Sequence, residues 1–148
     1  MKKILIIIIM WFITFTTAQA QSGLNISPLF EGKVIPTQRM VETRVKGKML
    51  SKYQLTFFRS VRFKTNNKQE INRVHDLIEL DIKKNPGFAY GENYSSKKSN
   101  SKETFVLQLP KQGNHNRFLC YKRNNEEITV IYMEGTLNSL DTLRELIK

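Results

Sequence analysis

Cysteine is nearly absent from this chain: Cys120 is the only one in 148 residues. A lone thiol cannot close an intramolecular disulfide, so burial and hydrogen bonds must hold the fold. Histidine is almost as scarce. His75 and His115, even taken with Cys120, lack the close spacing of a zinc site, and neither metal nor cofactor is expected. Acidic side chains are few, 13 against 24 Lys and Arg, for a net charge of +11. G-x-S-x-G, P-loop and dinucleotide fingerprints are all missing, which removes the commonest nucleophile and phosphate cradles. No apolar run is long enough to span a bilayer. The longest, Ile4 to Phe15, falls short of the roughly 20 residues that a spanning helix needs.

What that run does fit is a leader. Met1-Lys2-Lys3 gives a cationic start, the apolar stretch follows, and Ala18 and Ala20 form an A-x-A cleavage site. Residues 1–20 are therefore expected to be a signal peptide, and the mature chain to be exported to the periplasm or beyond, with no transmembrane segment. Trp11, the sole tryptophan, and two lysines leave with the leader, and the remainder is still strongly basic. Basic chains often bind nucleic acid. Export argues against that, because the polyanions met outside are lipid headgroups and acidic glycans.

The remaining residues divide into an irregular N-terminal segment, 21–39, and a single domain, 40–148. Gly23, Pro28, Gly32 and Pro36 deny the first part a period, although Leu29 and Phe30 can tuck onto a core. Met40 to Lys46 reads as a strand ended by Gly47. Residues 48–64 carry both helical and extended spacing; the preferred reading is a helical turn near Met49–Tyr53 followed by a strand. Asn67 and Glu70 resemble a capping box, behind which Ile71, Val74, Ile78 and Ile82 line one helical face. Leu80 points away from that stripe.

Asn85-Pro86-Gly87 stops the helix, and a strand meander follows. Its parts are Gly87–Tyr94, a polar loop "SSKKSNSKE", Thr104–Leu109 closed by Pro110, and a hairpin of Arg117–Arg123 with Ile128–Glu134 about "NNEE". Asn138 to Asp141 then caps a short C-terminal helix. Helices and strands are segregated, so the expected class is α+β: an antiparallel sheet meander packed against one main helix, with a short C-terminal helix.

The stretches "SPLFEGKVIP" and "ITVIYMEGTLNSLDTLRELIK" resemble the small exported proteins of unknown function common in Bacteroidota. The resemblance covers about the last third of the chain and a few earlier positions. It implies an extracytoplasmic home and a small mixed fold, and it transfers no catalytic residue. Asp141-Thr142-Leu143 is similar to an O-glycosylation motif of that phylum, but a helix first turn favours the same residues for local reasons.

Chemistry is hard to find. In "RFLCYKR" strand alternation sets Phe118, Cys120 and Lys122 on one face, with Arg117, Leu119, Tyr121 and Arg123 on the other. Cys120 reads as a buried apolar residue; an intermolecular disulfide and a nucleophile are the alternatives. Glu79 and Asp81 lie about 200° apart on the helix and cannot act together directly. The expected function is thus a non-enzymatic binding or envelope-associated module with a basic surface. The alternative is an extracytoplasmic hydrolase using carboxylates without a sequence pattern. Candidate contacts for an acidic envelope component or protein are Lys97, Lys98 and Lys102 on the polar loop, with Arg117, Lys122 and Arg123 on the hairpin.

Overall fold

A computed structural model describes residues 23–85, the backbone of 89–92, residues 101–138, and Leu143. The expected leader, Lys97, Lys98, the expected stop at Pro86-Gly87 and Asp141-Thr142 lie outside the described residues. Of the expected C-terminal helix only Leu143 is described, helical and buried.

Strand β1 (Met40–Lys46) ends at Gly47, whose φ of 92° few other residues adopt. A 3-10 helix (Lys48–Tyr53) and left-handed Gln54 then turn the chain into β2 (Leu55–Lys64). The helical-turn-then-strand reading of 48–64 therefore matches the structure. Helix α2 (Lys68–Lys84) starts where Asn67 Oδ1 accepts the Gln69 N–H at 2.9 Å. The capping box does not close as expected. Glu70 instead accepts from the Thr65 hydroxyl at 2.5 Å and from Arg39 at 2.6 and 3.0 Å, while Thr65 Oγ1 takes the Asn67 N–H. A bidentate guanidinium outcompetes the back-bond to the cap.

Three further hairpins follow. Strands β3 (Ala89–Glu92), β4 (Lys102–Gln112), β5 (His115–Asn124) and β6 (Glu127–Gly135) form a meander. β4 starts earlier than the polar loop suggested and runs past Pro110. It does so because the register slips between Leu109 and Gln112, where a missing N–H is tolerated. Asn125, at φ 57°, makes the two-residue turn from β5 to β6.

The strand order is β1-β2-β6-β5-β4-β3, antiparallel throughout. This corrects the α+β expectation. The molecule is mostly β: one six-stranded sheet, with α2 the only long helix among the described residues. The sheet meander with one main helix is roughly as expected, with the last strand returning to pair with β2.

Both sheet faces carry a core. On the first, Ile71, Val74, Leu77 and Ile78 of α2 pack over Val61, Phe63, Leu107, Leu119, Val130 and their neighbours. The segment ahead of Met40 belongs to this core. Its one-turn helix α1 (Ser27–Phe30) buries Leu29 and Phe30, and Ile26 and Ile35 are buried beside them. Asp81, 1% exposed, fastens the segment to α2 by accepting the N–H groups of Asn25 (2.8 Å) and Ile26 (3.0 Å) and the Asn25 side-chain amide (3.0 Å). Burial pushes this carboxyl above its ordinary range, and the three donors pull it back only in part. On the second face Leu50, Val106, Phe118, Met133, Leu137 and Leu143 form a smaller cluster.

Candidate anion-binding face of the sheet

Among the described residues, the smaller cluster covers only one end of the second face. Register aligns the side chains there in transverse rows. Phe58, Met133 and Phe118 form a covered row; Ser60, Ile131 and Cys120 form the next; Arg62, Thr129 and Lys122 form the third. Beyond the covered row the floor falls away, because Ser60, Thr129 and Thr43 of β1 are short. A depression of about 340 Å³ results, rimmed by Arg62 and Lys122.

Arg62 and Lys122 sit on the two strands that flank β6. Two strand spacings separate their backbones by about 10 Å. Arg62 and Lys122 flank Thr129 in one row and all three line the depression, so two cations and a hydroxyl border the same space. Neither cation makes an ion pair with any other described residue. Among the described residues Glu127 is the only acidic one lining the depression, and it lies one row farther out. A glycosidase needs a carboxylate on each side of its bond, and this depression holds one.

Cys120 forms part of the floor yet is only 2% exposed. Burial pushes its thiol up to about 12, so the thiolate that a nucleophile requires is not formed at neutral pH. A thiol reagent should consequently react slowly with the native protein and at once in denaturant. Rapid modification under native conditions would contradict this placement.

The structure divides the six residues first expected to form a patch. Lys122 belongs to the depression. Lys102, exposed at the start of β4, shares its face and pairs in register with Asn124, which makes it a diagonal neighbour of Lys122 at about 7–8 Å. Arg117 and Arg123 lie on the helix-covered face. Arg117 stacks 5.8 Å from the Tyr132 ring and donates to its hydroxyl at 2.9 Å, while Arg123 donates to the Asn125 carbonyl at 3.0 Å. These two arginines are separated by about 20 Å of strand and cannot join one site with Lys122.

Sequence reasoning missed Arg62, Ser60 and Thr129. Alternation opposite Val61 and Phe63 was enough to put Ser60 and Arg62 on one face. Nothing local showed that β2 would lie beside β6.

The family model described as "Family of unknown function (DUF6108)" matches residues 13–147. Neither the curated proteins nor the solved structures searched gave a match. With the match running over nearly the whole chain, this protein belongs to the DUF6108 family of unknown function.

Proposed function

We propose that the protein is a non-enzymatic binding module that takes an anionic group, phosphate, sulfate or carboxylate, on the open half of its sheet. The supporting observation is the Arg62–Thr129–Lys122 row above a depression, two cations and a hydroxyl with no acid in the row. Arg62 offers a planar fork of donors and Lys122 a mobile point charge, a pair suited to an oxyanion of either geometry. Lys102 extends the positive field along the same face. The leader at residues 1–20 and the likeness to exported Bacteroidota proteins support a place outside the cytoplasm. There acidic glycans and phosphate-bearing headgroups present this chemistry.

Calorimetric titration with inorganic phosphate, a sulfated oligosaccharide and vesicles containing anionic lipid tests the reading and separates the sources. Binding of at least one probe should weaken steeply between ~50 mM and ~150 mM salt. Arg62→Ala and Lys122→Ala should each weaken it by about tenfold or more, the effect of losing one charge-assisted contact. Arg123→Ala, on the other face, should leave it unchanged. Equal binding by the parent and the Arg62→Ala/Lys122→Ala double variant would overturn the proposal.

A further inference from the structure

β1 ends the sheet, and among the described residues nothing pairs with its outer edge. Such an edge is a template for another strand unless charge or shape blocks it. The charges of "MVETRVK" are placed so that a second copy fits and a slipped one does not.

We propose that two copies of this chain pair through β1, antiparallel, about a two-fold axis at Thr43. In that register Glu42 of each copy faces Arg44 of the other, Val41 faces Val45, and Thr43 faces itself. Both charge pairs are opposite in sign, the arrangement that stabilises cross-strand neighbours. Moving the axis to residue 42 puts glutamate against glutamate, and moving it to residue 44 puts arginine against arginine. An in-register parallel pairing brings like charges side by side as well. Of these registers only the Thr43 axis sets both Glu42, which also meets Arg59 of β2 at 2.9 Å, and Arg44 opposite a charge of the other sign, with Lys46 facing Met40.

Two further features agree with it. Val41 is 57% exposed, a large apolar side chain left open on one copy, and the second copy sets Val45 opposite it. An axis through a residue also suits whichever alternate set of N–H and C=O groups faces outward, since either set then meets its own mirror. The axis stands perpendicular to the sheet. Two six-stranded sheets therefore join into one, with both α2 helices on one side and both depressions on the other. The pairing does not depend on anion binding; it would hold if that reading failed.

Sedimentation equilibrium of the purified protein over a wide concentration range should show a monomer–dimer equilibrium. Glu42→Lys and Arg44→Glu should each weaken it by about tenfold or more, because each makes both cross-strand pairs repulsive. An equimolar mixture of the two variants should dimerise again, since opposite charges then meet at both positions. That recovery also distinguishes a lost contact from a damaged fold. Under mild oxidation Thr43→Cys should form a disulfide-linked dimer, while Val41→Cys should not, its two copies lying far from the axis. A parent that stays monomeric, a mixture that fails to associate, or equal cross-linking at positions 41 and 43 would overturn the proposal.

Discussion

Replacing Ile78 by aspartate should leave little folded protein at room temperature. Ile78 is 0% exposed and sits where α2 meets the sheet. Removing its side chain from that core forfeits about 1.5–3 kcal/mol of apolar burial. The carboxylate that replaces it enters an apolar core, and a buried charge without a partner costs several kcal/mol more. Against a total stability on the order of 5–15 kcal/mol, the sum is decisive. Leu80→Asp, two residues along and 47% exposed, provides the control and should change stability by no more than about 0.5 kcal/mol. Circular dichroism melts of the two variants test the claim. Should Ile78→Asp melt with the parent, the packing of α2 on the sheet would be wrong.

Gly135→Ala is the second large effect, and its cause is backbone, not core volume. A Cβ at Gly135 would stand 2.2 Å from the Gln54 carbonyl oxygen and 2.7 Å from Leu55 Cα. Neither can yield easily. Gln54 is already left-handed, and its carbonyl accepts the N–H groups of both Thr136 (2.9 Å) and Leu137 (3.2 Å). The expected loss is about 3 kcal/mol, at the upper end for overpacking, and Gly135→Val should be worse. Gly47→Ala makes the comparison: its Cβ enters open space and only the φ of 92° resists, a cost on the order of 1 kcal/mol. Urea titration of both variants gives the ordering. Equal midpoints would mean that Gln54 and Gly135 are not in contact.

Gly135 shows where the sequence was legible and where it was not. As a strand ender it could be read directly; as the residue that lets Gln54 approach, it could not. The same division holds throughout. The helix announced itself by its period and by Asn67, and the strand of β5 by alternation, because those signals act within a few residues. Pairing of β2 with β6 has no local signature, so neither the strand order nor the mostly β class could be read. Asp81 looked idle on its own helix since its donors, Asn25 and Ile26, lie far upstream. Of the basic residues on the depression's face, the sequence reading names Lys122 and Lys102 and omits Arg62. Nearness along the chain groups the basic residues together, whereas alternation sends Arg117 and Arg123 to the other face.

The return of β6 to β2 also dictates an order of events in folding. β1 and β2 can form a hairpin early, and α2 can follow, but one edge of β2 stays open until Gly135 has been made. In that interval Phe57, Val61 and Phe63, destined for the main core, have only α2 and the segment ahead of β1 to cover them. The meander from β3 to β6 must then close against the waiting hairpin in one long-range step, the kind that slows folding and exposes strand edges to other molecules. A chain cut short anywhere within β6 would therefore be left as two incomplete halves, each with an unpaired strand, and aggregation would compete directly with its degradation.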